Sequence, residues 1–224
     1  MPRSLTIGLS MFLLFATGCD QIPFDRAVRM MRSPTSADER RTGIAVLATQ
    51  YVAGKRPPYP AFYQKIAQTD PDFTVRAMAI RALNICRDAS ATRIFIEGLR
   101  DDNELVRLES AKALANVPDP DAVAALMRTL AGTRMVMTPD GHSALVAEGK
   151  DVRIAAADAL RRYRDLGASR SLDVARTLVG YLTDTDFGVA WQSRQSLIAM
   201  TGQDLRYDEA AWLQYLVGPS KPFG

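Results

Sequence analysis

The sequence predicts an all-α fold: a solenoid of stacked helical hairpins. Its first sign is a segment that recurs along the chain. Asp72-Phe-Thr-Val-Arg76 runs on to Leu83, Asn103-Glu-Leu-Val-Arg107 to Leu114, Asp151-Val-Arg153 to Leu160, and Asp186-Phe-Gly-Val189 to Leu197. Measured at the arginine, the copies fall at 76, 107, 153 and 190, where Ala190 replaces the arginine, so the steps are 31, 46 and 37 residues. Ser36, Arg40 and Leu47 repeat the same spacing 36 residues before Arg76, which makes five copies. Self-similarity at such periods marks repeat architectures, in which each unit buries its apolar face only against its neighbours.

The second sign is helical periodicity within each copy. Val75, Ala79, Ala82 and Leu83 share one face, and Val106, Ser110, Ala113 and Leu114 repeat that geometry with small residues that let helices approach. Capping is the third: Asp72, Asn103 and Asp186 stand four residues before the arginine position, where a short polar side chain accepts from free N–H groups of the first turn. A shorter apolar-periodic segment precedes each copy, at 61–67, 92–99, 122–130 and 172–182, separated by polar links such as Gln68-Thr-Asp-Pro71. Two helices per unit with brief turns describe an α-hairpin.

These residues resemble the HEAT repeat family, in particular short bacterial units of the planctomycete type whose second helix opens Asp-x-x-Val-Arg and continues Ala-rich to a Leu. The resemblance covers residues 36–200 and implies a right-handed α-solenoid of about five HEAT-like helical hairpins with a C-terminal capping helix. It also implies a structural ladder of Asp72, Arg76, Arg107 and Arg153, each arginine pairing with an acid of its own or an adjoining unit. An arginine at a helix N-terminus opposes the helix dipole, so a specific partner is required; Asp70, Asp72, Asp101, Asp102 and Asp151 are the candidates. Ala190 ends the ladder in the last copy, as suits a unit with no following neighbour. Residues 201–224 resemble the Thr-Gly, acidic, Trp tail of such proteins: Gly202 stops one helix, Asp208 caps the next, and Trp212 and Leu216 share a side.

The N-terminus reads as a processing segment. Residues 1–18 carry one positive charge, an apolar run over 5–15, and then Gly18-Cys19. The run is shorter than the roughly 20 residues needed to span a bilayer. The Gly-Cys pair resembles the lipobox of bacterial lipoproteins, with Ala16 where that family prefers Leu, and implies removal of 1–18 and lipid attachment at Cys19. A plain secretory peptide and an uncleaved anchor are the alternatives. Residues 19–35 supply a short tether and a first helix, on which Arg26, Arg29 and Arg32 recur at helical spacing; they either rest on acidic headgroups or form a solvated face. Lys55-Arg-Pro-Pro-Tyr-Pro60 is a rigid link.

Composition narrows the partners. The chain carries 28 basic and 25 acidic residues, and loss of Arg3 with residues 1–18 leaves 27 against 25. That near-neutral balance is not the basic stripe of a nucleic-acid binder. With Cys19 lipidated, Cys86 is the remaining thiol, predicted to be a small buried hydrophobe on a packed face.

The long step between Arg107 and Arg153 holds an insert at 133–147, and insertions in repeat proteins often serve a binding face. Pro139-Asp-Gly141 is a turn signal, and Met135-Val-Met137 and Ala144-Leu-Val146 pair as a small hairpin or cover the core edge. His142, the single histidine, sits in this insert without the convergent partners that a triad or metal site needs. The candidate partner-binding residues are therefore Arg134, Met135, Met137 and His142, with no catalytic, metal or cofactor residues. The expected protein is a non-catalytic scaffold or adaptor. It is exported, fixed to a bacterial cell membrane or periplasmic leaflet by its lipid, and binds a protein partner through its second helices and the insert, with no nucleic acid and no small-molecule substrate. A bilin lyase-like or chaperone-type repeat protein and a purely structural envelope lipoprotein are the alternatives.

Overall fold

The repeats fold into helical pairs because the second helices are packed by small residues in their middles and most are capped by the side chain just before them. In the computed structural model, which describes residues 22–52, 59–219 and 222–223, five such hairpins follow one another. They are α1 (Phe24–Met31) with α2 (Ala37–Val52), α3 (Pro60–Thr69) with α4 (Phe73–Ile85), and α5 (Thr92–Gly98) with α6 (Glu104–Asn116). Then come α7 (Val123–Leu130) with α8 (Lys150–Leu160), and α9 (Ala168–Val179) with α10 (Phe187–Thr201). A final helix, α11 (Glu209–Val217), closes the end. The leader and Cys19 lie outside the described residues, as does most of the Pro-rich link. No described helix is long and apolar enough to cross a membrane.

The predicted caps are present. Asp72 accepts from the N–H groups of Thr74 and Val75, Asn103 from Leu105, Asp186 from Val189 and Asp208 from Ala211. Second helices pack in an unbroken row, α2 on α4, α4 on α6, α6 on α8 and α8 on α10. Small residues make that row tight: Ala111, Ala156 and Ala157 are fully buried, and the Ser196 hydroxyl donates across from α10 to the Ala157 carbonyl of α8 at 2.7 Å. In the first hairpin, a Cβ on Gly43 would stand 2.3 Å from the Met31 nitrogen, so α2 meets the end of α1 only because this residue has no side chain.

The first helices form a looser row. α3 meets α5 and α7 meets α9, while α5 and α7 approach each other less closely. The insert emerges beside that gap as a two-stranded antiparallel ribbon, β1 (Thr133–Met137) and β2 (Ser143–Ala147), with Met135 opposite Leu145. At the far end Trp212 is fully buried, its indole N–H donates to the Arg206 carbonyl at 3.0 Å, and Leu216 lies beside it in the core. Cys86 is half-buried at the C-terminus of α4, where burial, then the nearby Asp88, raises its thiol pKa. The thiolate form is thus disfavoured, and the thiol is less enclosed than its place in the repeat predicts.

Candidate functional site

The ladder sets the frame on which the insert stands. Arg40 grips Asp70 through two bonds of 2.8 and 2.9 Å, and Arg76 grips Asp101 through two of 3.0 Å. Arg107 reaches Glu148 at 2.8 Å, and Arg153 meets both oxygens of Asp184. Every rung thus joins the second helix of one unit to the inter-helix link of the next. Each arginine also donates to its own or a neighbouring link: Arg40 to the Ser33 carbonyl, Arg76 to Asp70 and Pro71, Arg107 to Asp101 and Asp102, Arg153 to Leu130. Burial alone would push the Asp184 carboxyl up, but Arg153 and the Asp186 N–H together outweigh it and hold the pKa below the ordinary carboxylate value.

Two of the proposed acids, Asp70 and Asp101, are rung partners. Asp72 instead caps α4, and neither Asp102 nor Asp151 carries a rung through its side chain. Glu148 and Asp184 were missed. A local signal marks them: the rung acid stands one or two residues before the helix cap and accepts that residue's N–H, as Asp70 does from Asp72, Asp101 from Asn103, Glu148 from Gly149 and Asp184 from Asp186. The ladder also does not stop at Ala190. One turn further on, Arg194 pairs with Asp204 in the segment leading to α11, so the capping helix receives a displaced rung.

The ribbon grows from the link of the fourth unit without breaking its rung. Gly132, at φ +81°, turns the chain out of α7, and the Glu148 N–H closes the root on the Gly132 carbonyl at 2.9 Å. At the tip, the Gly141 N–H bonds the Thr138 carbonyl, and the Thr138 hydroxyl donates to Asp140. His142 is there too, exposed, with Nδ1 3.1 Å from Asp140. Strand alternation places Met135, Met137 and Leu145 on one outward face, 62, 69 and 65% exposed.

Beneath the ribbon root lies a groove of about 450 Å³, lined by the end of α5, by α7 and by both strands. Leu99, Ala125, Met135 and Leu145 supply its apolar wall and Arg100, Arg128 and Arg134 its charge. Of the predicted partner-binding residues, Arg134 and Met135 line this groove, Met137 extends the same exposed face, and His142 stands apart at the tip. The second helices, expected to share the binding surface, contribute nothing to the groove. Arg100 and Arg128 were missed because their convergence depends on the gap between α5 and α7. Among the described residues no group of His, Cys, Asp and Glu could hold a metal ion.

Stacked hairpins joined by interlocking rungs define an α-helical repeat protein. Residues 60–134, from α3 into β1, match the family described as HEAT repeats. No match is found among curated proteins. Solved structures share the fold. The complex of CpcE and CpcF of phycocyanin lyase from Nostoc sp. aligns with TM-score 0.60 at 17% identity, over 96% of this chain and 74% of that one. A designed armadillo repeat protein aligns with TM-score 0.60 at 13% identity, over 90% and 95%. An engineered protein gives 0.56 at 18%, over 88% and 90%.

Proposed function

We propose that this chain is a non-catalytic scaffold that holds a protein partner at the bacterial cell envelope, fixed there by lipid on Cys19. The observation that carries the reading is the ribbon's outward face, where Met135, Met137 and Leu145 stand in solvent on a braced frame. Clustered exposed apolar side chains rimmed by charge mark interaction sites, and a rigid support lowers the ordering cost of binding. Capture from detergent-solubilised membranes tests it: the intact chain retains a partner, and Met135→Ser/Met137→Ser/Leu145→Ser loses it. An unchanged set of captured proteins would sink the reading. Cys19→Ala should move the protein from the membrane to the soluble fraction, and retention in the membrane would remove the anchor.

The likeness to the phycocyanin lyase complex motivates a second reading, a protein that handles bilins. Incubation with bilins followed by absorbance of the repurified chain decides it, since retained pigment would favour that reading over the scaffold. The raised thiol pKa of Cys86 offers no ready thiolate for such chemistry.

A further inference from the structure

The groove under the ribbon has a polarity that the scaffold reading leaves unused. Arg100, Arg128 and Arg134 converge on it, and among the described residues none of the three side chains has an ion pair or a hydrogen-bond partner. The Arg134 Nε is moreover buried with no acceptor, and a buried donor without a partner is uncommon enough in folded proteins to need a reason. The acid in the groove lining is already engaged: both oxygens of Glu148 accept from Arg107, and one of them also takes the Gly149 N–H. Between the arginines, Leu99, Met135 and Leu145 form an apolar wall. The site therefore combines three free guanidinium groups with a hydrophobic slot.

We propose that the groove binds an acidic polypeptide segment, one large apolar side chain seated against Met135 and Leu145 with flanking Asp or Glu carboxylates on Arg100, Arg128 and Arg134. This rests on the scaffold reading and names the chemistry of its partner. The arrangement suits carboxylates because guanidinium is planar and pairs with them bidentately, and because the apolar slot strengthens such pairs by excluding water. A basic segment would face three like charges. An apolar segment without acids would leave the guanidinium groups unpaired as they lose water.

Fluorescence anisotropy with short synthetic peptides provides the test. The probe carries a central Leu or Phe flanked by Asp and Glu, and control peptides replace the acids with Lys or with Ser. The acidic probe is expected to bind, to weaken steeply when NaCl rises from about 0.05 to about 0.5 M, and to lose about tenfold or more in affinity on Arg100→Glu/Arg128→Glu. Both substituted residues are exposed, and far-UV circular dichroism checks that the helices persist. Equal binding of the Lys peptide, or an affinity indifferent to the double substitution, overturns the proposal. So does preferential binding of phosphatidylserine vesicles, which would make the site a lipid surface. Membrane capture separates the two ideas: if Arg100→Glu/Arg128→Glu retains the partner while the Met135, Met137 and Leu145 variant loses it, the scaffold stands and the acidic segment falls.

Discussion

The second rung and the third differ in one respect, the fifteen residues of ribbon spliced beside the third. At the regular rung, Arg76 and Asp101 are 18 and 16% exposed, and the acid stands two residues before its cap. Beside the ribbon, Arg107 and Glu148 are 3% exposed each, and the acid stands one residue before Gly149. The carboxylate stands one position nearer its cap there, and the longer side chain of Glu148 reaches Arg107 from it. A solenoid of this kind accepts new structure in its inter-helix links as long as each arginine still finds an acid, and here the pair beside the added strands is the more buried of the two.

The contrast can be broken most strongly at its buried member. Glu148→Ala leaves Arg107 charged and enclosed, a defect expected to cost about 3–5 kcal/mol. Asp101→Ala strands a more hydrated arginine and should cost about 1–3 kcal/mol. Urea unfolding of both variants checks the order, and equal losses would show that the ribbon does not shield its rung. Replacing 133–147 with a short Gly-Ser turn is a milder change, because the Gly132 carbonyl and Glu148 N–H already meet across the root. Stability should then change by less than about 1 kcal/mol while capture of the partner is lost.

The smallest effect is a pH dependence. The pKa values of Asp184 and Glu109 are held low in the fold: burial pushes each up, and Arg153 with the Asp186 N–H on the one, Arg81 with Lys112 on the other, outweigh it. A carboxylate with a depressed folded pKa adds stability that is present above its unfolded value and lost as pH falls through the folded one. The melting temperature should therefore fall on acidification below the ordinary values of 3.8 and 4.5. Asp184→Asn should flatten that fall, and an unchanged slope would show that the rung carries no proton linkage.

Much of this could be read from the chain because the determinants are local. A cap, a Val-Arg pair and an Ala-rich face each act within one or two turns, so Asp72, Asn103 and Asp186 disclose their helices, and Pro139-Asp-Gly141 discloses the ribbon. Rung partners were less legible, since Arg153 and Asp184 meet across 31 residues. Only the acid's place beside a cap betrays them. The groove could not be read at all: Arg100 and Arg128 sit in different hairpins, and what brings them together is how far two first helices stand apart.

The first and last units share a quiet property. In the first, the place two residues before the cap Ser36 holds Pro34, which offers no carboxylate to an arriving arginine; in the last, Ala190 offers no arginine to an arriving carboxylate. A periodic array whose ends were complementary could add copies head to tail without limit, as open heterologous contacts do. Here the first unit lacks the acid, and the displaced arginine of the last, Arg194, is already taken by Asp204 of the closing segment. The described row of rungs is thus closed at both ends, by a missing acid on one side and an occupied arginine on the other.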